Sequence, residues 1–357
     1  MGQPCLLDLR REELVAWMKA KRQPTFRVDQ VWRAVYVEMV GAVEEMTPLP
    51  QALRSELREA FPACICGVDA EQASSDQRTR KALLRFADGA TVEAVLMAYD
   101  RRRTVCVSTQ VGCAIGCSFC ATGRQGFVRD LSAGEMVSQV LHFARMLRRT
   151  SEGESEGGGS RITNVVFMGM GEPFLNADAT FEAIRRLNDP DGFRLGARSI
   201  TVSTAGILSG IERLADEFPQ VNLAVSLHAG TDILRNVLVP LNRTVPLREL
   251  IAACRNYIEK TGRRITFEVA LIEDVNDSVK HAKEIAELLH GMIAHVNLIP
   301  LNPIRGDAFR PSPRKRIEMF AETLQKRGIS TTVRVSRGIK IDAGCGQLRS
   351  RQAATAD

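Results

Sequence analysis

The chain has 357 residues, 45% hydrophobic and 25% charged, with a net charge of +6; these ordinary values leave room for one large globular domain with an extension, or for two domains. No apolar run approaches the ~18 residues of a membrane helix, the stretch from Met1 to Trp17 has no signal-peptide core, and Gly2 opens no myristoylation motif because Leu6 stands where a hydroxyl residue is needed. Nine cysteines, an odd number in a chain of this length, argue against a secreted disulfide framework and for a reducing cytoplasm.

Residues 1–62 read as helices. Asp8 is placed to cap a run with Leu9, Leu14 and Trp17 or Met18 on one face. A second run, Val28 to Val40, carries Val31, Trp32, Val35 and Met39 at helical spacing, and a third, Pro50 to Phe61, sets Leu53 and Leu57 one turn apart. Between residues 64 and 98 the period changes to that of a strand. Lys81–Phe86 and Thr91–Met97 flank Asp88-Gly89, which reads as a β-hairpin. A small accessory domain, residues 1–98, therefore precedes the main one.

From residue 104 the pattern is strand, loop, helix, repeated. Strands are expected near Thr104–Val111, Ile162–Met168, Ser199–Ser203, Val221–Leu227, Arg264–Ile272 and His295–Pro300. The helices are expected near Ser132–Arg149, Ala177–Asn188, Leu208–Glu217, Leu247–Lys260, Ser278–His290 and Pro313–Arg327. Six βα units predict an α/β fold with a parallel sheet and helices outside; being too few for a closed eight-unit barrel, they predict an open partial barrel over residues 99–335. Thr331–Val335 is a candidate edge strand. Residues 151–160, rich in Ser, Glu and Gly, and the tail from Ser350 read as loose segments. Residues 305–351 hold twelve Lys/Arg and four Asp/Glu, a local +8 that leaves the remainder at −2. Such a stretch is either a solvated helix face with a basic tail or a surface for a phosphate-rich partner.

The chemistry concentrates after the first barrel strand. Cys113, Cys117 and Cys120 stand at spacing C-x3-C-x2-C. Three thiolates on one loop leave a metal one ligand short: structural zinc takes four, whereas a [4Fe–4S] cluster on three cysteines keeps one iron open to a small molecule. In parallel α/β barrels the site lies at the C-terminal ends of the strands. Those ends carry Gly171 and Glu172, Ser203, Ser226-Leu227-His228, and Asn302, so a ligand pocket is expected on that rim. Taken singly, each is equally a turn glycine, a capping residue or a satisfied buried polar group. Cys106 lies on the first strand, and Cys345 in a glycine-flanked stretch near the C-terminus that reads as a mobile loop, residues 336–357. Glu93 alone is an ordinary strand glutamate. Cys5, Cys64, Cys66 and Cys254 read as structural, Cys64-Ile65-Cys66 being too tight for a zinc knuckle.

Phe119 before the last cysteine and Gly-Met-Gly-Glu-Pro at 169–173 resemble the radical S-adenosylmethionine (SAM) enzymes. The likeness narrows with Ser108-Thr109-Gln110-Val111-Gly112-Cys113, Gly126-Phe127-Val128-Arg129, Ala343-Gly344-Cys345-Gly346-Gln347-Leu348, Phe26-Arg27-Val28-Asp29-Gln30-Val31 and Glu45-Met46-Thr47-Pro48-Leu49-Pro50. These resemble the RlmN/Cfr family, radical SAM methyltransferases acting on adenine in RNA, over nearly the whole chain. The resemblance implies a [4Fe–4S] cluster on Cys113, Cys117 and Cys120, and SAM contacts from Gly171, Glu172, Ser203, Ser226, Leu227, His228 and Asn302. It implies two SAM per turnover: one methylates Cys345, and the second yields a 5′-deoxyadenosyl radical that activates that methyl group for addition to adenine. Glu93 then takes the ring proton, and Cys106 attacks the Cys345 sulfur to release the RNA and leave a Cys106–Cys345 disulfide. Implied partners are 23S ribosomal RNA, transfer RNA and a flavodoxin- or ferredoxin-type electron donor, with no membrane and a monomeric enzyme. C2 and C8 methylation share these motifs; C2 is the expectation as the commoner activity. A non-catalytic iron–sulfur RNA-binding protein is the rival class, and it has no use for Cys106 and Cys345.

Overall fold

A computed structural model describes residues 4–151, 161–304, 308–334 and 341–348. The loose segments read at 151–160 and beyond Ser350 fall, but for Ser151, outside the described residues. The three N-terminal helices are α1 (Arg11–Ala20), α2 (Phe26–Tyr36) and α3 (Gln51–Ala60). Each buries the stripe its spacing predicts: Leu14 and Met18, then Val28, Val31, Trp32 and Val35, then Leu53 and Leu57.

The cap assigned to Asp8 is corrected. Arg10 is the N-cap of α1, and its N–H donates to Glu13 at 2.7 Å. Asp8 instead closes a short 3₁₀ turn, accepting from the Cys5 N–H at 3.0 Å through one oxygen. Its other oxygen accepts the Gly134 N–H at 3.0 Å, in the first turn of α5 (Ala133–Ser151). An aspartate far away in sequence thus supplies what a helix N-terminus lacks. Cys5 and Cys64, 59 residues apart, are joined in a disulfide; Cys254 is buried and Cys66 exposed.

Three strands follow, β1 (Ile65–Ala73), β2 (Thr79–Phe86) and β3 (Thr91–Ala98), the last two forming the expected hairpin. β3 pairs antiparallel with β4 (Arg103–Cys106), placing Val95 opposite Cys106. The hairpin is therefore continuous with the main sheet. Beyond β4 run β7 (Asn164–Phe167), β8 (Ile200–Thr204), β9 (Asn222–Ser226), β10 (Ile265–Leu271), β11 (Ala294–Pro300) and β12 (Ser330–Val333), all parallel. The sheet order is β1-β2-β3-β4-β7-β8-β9-β10-β11-β12. Among the described residues its two edges do not pair, so the barrel is open, with β12 the anticipated edge strand; Val335 of that reading lies outside the described residues.

The crossovers are α5, α6 (Ala177–Asn188), α7 (Leu208–Glu217), α9 (Leu247–Thr261), α10 (Val279–Leu288) and α11 (Arg314–Lys326). Two short helices, α4 (Ala121–Gln125) and α8 (Asp232–Leu238), add to those expected.

The strand read as Thr104–Val111 is broken after Cys106. The Ser108 N–H donates to the Gln139 side chain, whose amide in turn donates to the Ser108 carbonyl, both at 2.9 Å. With its backbone groups satisfied there, the chain leaves the ladder. It then forms β5 (Gln110–Gly112), which pairs antiparallel with β6 (Phe127–Asp130) as a separate ribbon; the cysteine loop hangs between the two. Replacing Asp8 by Ala should cost about 1 kcal/mol through loss of the α5 cap, read as a lower urea midpoint at unchanged m-value.

Candidate active site

The parallel strands bring their C-terminal ends to one rim, around a concave cavity. Cys113, Cys117 and Cys120 form part of its wall, with Gly171, Glu172, Ser203, Ser226, His228 and Asn302 around the rim and Cys345 at its edge. Leu227 is the exception among the rim residues: its side chain is packed in the core, fully buried.

The cysteine loop rests on Leu238 and Val239, and the Ser118 N–H donates to the Leu238 carbonyl at 3.1 Å. Burial raises all three thiols above their ordinary range, Cys113 to about 12. The three sulfurs are near enough to influence one another, Cys117 feeling both Cys120 and Cys113, and three cysteines on one loop leave a bound [4Fe–4S] cluster with one open iron. Phe119 stacks edge-on against His228 with ring centroids 4.7 Å apart.

The glycine turn approaches the broken strand closely. A Cβ on Gly171, whose φ is 101°, would lie 2.7 Å from both Gln110 and Thr109, so the position requires glycine. Glu172 is buried, accepting the Ala205 N–H at 2.7 Å and the Phe174 N–H at 3.2 Å. Burial outweighs these bonds and pushes its carboxyl up to about 7. His228 sits in the left-handed region at φ 61°, with its Nδ1 accepting the Ala270 N–H at 3.1 Å. Burial first, then Arg235, lowers it to about 3. The ring is thus neutral, and its proton is on Nε2 as a donor. The buried Asn302 Oδ1 accepts no hydrogen bond among the described residues. An orphaned acceptor on a cavity wall marks a place for a ligand donor.

A second, smaller cavity adjoins the first, sharing Met168, Ile299, Asn302, Arg334 and Cys345 with it. Cys106 and Cys345 both line it, and both are free. Burial and then the Cys345 sulfur push the Cys106 thiol up to about 12, against the pull of Arg334. The Cys345 loop is docked from several sides. Ala121 N–H donates to Gly346 (2.8 Å), Thr122 Oγ1 to Leu348 (2.6 Å) and Asn302 Nδ2 to Cys345 (3.1 Å), each at a carbonyl. Glu93 lines neither cavity. It is buried on β3, two residues from Val95, in an ion pair with Lys81 at 2.8 Å; Lys81 also donates to the Asp342 carbonyl at 3.1 Å.

Comparison with known proteins identifies this arrangement. Residues 107–289 match the model of the radical SAM superfamily, and residues 5–63 match that of the ribosomal RNA large subunit methyltransferase N-terminal domain. A probable dual-specificity RNA methyltransferase RlmN from Chloroflexus aurantiacus is 48% identical, over 98% of this chain and 94% of its own length. One of the same description from Geobacillus kaustophilus is 43% identical, over 98% and 93%. The chain belongs to the RlmN family of radical SAM methyltransferases. A crystal structure of a radical SAM methyltransferase from Sphaerobacter thermophilus, 49% identical, superposes with a TM-score of 0.92 over 97% of this chain and 99% of that one.

Membership of the RlmN family makes the chain an enzyme and implies a [4Fe–4S] cluster and SAM. The residues fit both: the three cysteines on one cavity wall suit the cluster, and the orphaned Asn302 acceptor and the His228 donor suit a polar ligand beside it.

Three charged residues of the site carried no signal in the sequence. Arg235, on α8, is fully buried and donates to the carbonyls of Leu227 (3.1 Å), Ala205 (2.6 Å) and Ser226 (3.0 Å). Glu268, on β10, and Arg334, after β12, both line the main cavity. The basic C-terminal stretch is in part neutralised: Arg316 pairs with Asp274 and Asp277, Arg314 with Glu318, and Arg327 with Glu287.

Because the Glu172 carboxyl is raised from 4.5 to about 7 on folding, its contribution to stability is complete below its unfolded value and is lost as pH rises through about 7. Protein free of cluster and SAM should lose on the order of 3 kcal/mol from this group over that rise. Glu172→Gln should flatten the dependence, as read from denaturant midpoints across pH.

Proposed function

We propose that this chain methylates C2 of adenine in RNA, at adenine 2503 of 23S ribosomal RNA and adenine 37 of transfer RNA, with Cys345 as the methyl carrier. The observation that carries this reading is the pair of free cysteines, Cys106 and Cys345, lining one cavity that opens onto the cysteine-triplet cavity. A protein that only bound RNA would need neither.

C2 of adenine is an electron-poor carbon and does not displace the methyl of SAM directly, so the methyl must be carried and activated by a radical route. The cluster and SAM supply the radical chemistry. The chain supplies position. Cys113, Cys117 and Cys120 hold the cluster, while Gly171 and Glu172 receive the SAM amino group. Ser203, Ser226, His228 and Asn302 take its remaining polar groups, Leu227 contributing through its backbone. Cys345, at the edge of the main cavity, would take a methyl from SAM and hold it facing the cysteine triplet, where the bound cluster and a second SAM would supply the radical chemistry. Glu93 accepts the adenine ring proton; its partner Lys81 also holds the Asp342 carbonyl, which ties this carboxylate to the Cys345 loop. Cys106 then attacks the Cys345 sulfur. The S–S bond forms as the bond from the Cys345 sulfur to the RNA-borne methylene breaks; that carbon keeps the bonding pair and takes a proton to become the methyl group, so the carbon is reduced as the sulfurs are oxidised, a step that needs the two sulfurs in one cavity. The electron comes from a flavodoxin- or ferredoxin-type donor, and the enzyme works as a cytoplasmic monomer.

Two variants separate the roles. Cys345→Ala should abolish RNA methylation, and Cys106→Ala should accumulate a covalent protein–RNA species visible as a nuclease-sensitive shift on a denaturing gel. Mass spectrometry of nucleosides from treated RNA should find 2-methyladenosine. Methylation by the Cys345→Ala enzyme would overturn the carrier role, and 8-methyladenosine the choice of carbon.

A further inference from the structure

Side chains alternate along β10: Phe267 and Val269 are fully buried in the core, while Glu268 and Ala270 line the main cavity. Register sets Ser226 of β9 on one side of Glu268 and Asn297 of β11 on the other. Residues in register share a face, so these three polar side chains form one row across the inner face of the sheet. The row is held from the sheet edge. Thr332 Oγ1, on β12, donates to the Asn297 side-chain carbonyl at 3.2 Å, and the Asn297 amide donates to Glu268 Oε2 at 2.8 Å. The amide is thereby fixed with its donor toward the carboxylate. Glu268 is only 6% exposed, yet its Oε1 accepts no hydrogen bond among the described residues. Arg334 acts on it through charge, without an ion pair among those residues. A carboxylate has room for about four hydrogen bonds, so a buried one holding the single bond from Asn297 is left for a ligand donor to complete.

SAM offers three kinds of donor: its ammonium group, two ribose hydroxyls and the amine of adenine. The ammonium falls to Gly171 and Glu172 at the end of β7. That strand is three places from β10 in the sheet, about 14 Å across at ~4.8 Å per strand. The adenine amine stands beside ring nitrogens that accept. A carboxylate takes two donors at once, which a vicinal diol supplies, and this is the pairing by which acidic side chains hold nucleoside riboses. We propose that Glu268 is a ribose-binding residue of this site: its open oxygen accepts from the sugar hydroxyls of SAM, and Asn297 positions it to do so. This rests on the reading of the rim as a SAM site. Together the two acidic residues set the direction in which SAM lies, its amino end at β7 and its sugar toward β10.

The test uses full-length protein with its cluster rebuilt after purification, and S-adenosylhomocysteine, which has no methyl to transfer, as the parent probe. Four ligands are compared by equilibrium dialysis: the parent, its 2′-deoxy and 3′-deoxy forms, and its inosine counterpart, which lacks the adenine amine. RNA is left out, so any sugar read is that of the small ligand. Wild-type protein should bind at least one deoxy form about tenfold more weakly than the parent, the loss expected for a hydrogen bond to a charged group. Glu268→Ala should bind the parent about tenfold more weakly and no longer distinguish the deoxy forms from it. Glu268→Gln, whose amide oxygen still accepts from Asn297, should lose less affinity and part of the discrimination; it covers the case in which the Ala variant does not retain the cluster. Iron content and the ratio of inosine form to parent should stay at wild-type values. Wild-type protein indifferent to both hydroxyls overturns the ribose assignment alone. So does a variant that binds weakly yet still discriminates against the deoxy forms, or one that loses discrimination at the purine amine instead. Wild-type protein that binds none of the four overturns the SAM reading of the rim, and this inference with it.

Discussion

One buried guanidinium holds the rim together. In a parallel sheet every strand ends on the same side, and its last carbonyls need partners other than the next strand. Arg235 supplies them at the ends of β8 and β9, donating to Ala205, Ser226 and Leu227, and it also donates to the Asn242 side chain at 2.8 Å. Among the described residues no carboxylate bonds it directly; Asp232 acts through Asn242, whose side-chain amide donates to the Asp232 carboxylate at 2.9 Å. Burial lowers Arg235 only to about 10, so it remains a cation at neutral pH. Burial keeps the His228 ring neutral, and the charge of Arg235 adds to that effect. Remove it, and Ser226 and His228 lose the backbone that aims them.

The other constraint is that the reactive loop comes from the far end of the chain. Cys345 reaches the site only because residues 341–348 dock on α4, on Asn302 and on Lys81. The fit is close: a Cβ on Gly344 would lie 2.5 Å from the Asn302 amide nitrogen. Lys81 and Glu93 stand on the hairpin, outside the barrel proper. The antiparallel pairing of β3 with β4 brings that hairpin beside Cys106. The N-terminal strands thus form one wall of the site and not an appendage to it.

Much of this was legible in the residues, and the remainder fails for stateable reasons. Helical and strand periods located α6 and α7 to the residue, because their apolar faces are uninterrupted. The cysteine triplet and the strand-end polar residues were visible because their types and spacing carry chemistry of their own. The break after Cys106 was not: Thr104–Val111 is a continuous β-like run, and what ends it is a glutamine on α5. Asp8 looked like a local cap because its partner, Gly134, is remote in sequence. Arg235 was invisible for a sharper reason. On α8, Ile233 is 85% exposed and Val237 59% exposed, while Arg235 is fully buried. Periodicity reads that helix inside out, because it assumes that burial follows polarity, and here unpaired carbonyls outweigh it.

Cys106 and Cys345 share a cavity but not an environment, and the difference divides their chemistry. Cys106 ends a central strand, buried, with its thiol pushed up to about 12 by that burial and by the other sulfur. Cys345 is half-buried on a docked loop, in contact with a guanidinium and facing the main cavity. On the proposed reading of Cys345 as methyl carrier, the two environments assign the two roles. The half-buried sulfur on the docked loop lines the main cavity, where a ligand can reach it, whereas the strand sulfur lines only the smaller cavity and meets the first one there.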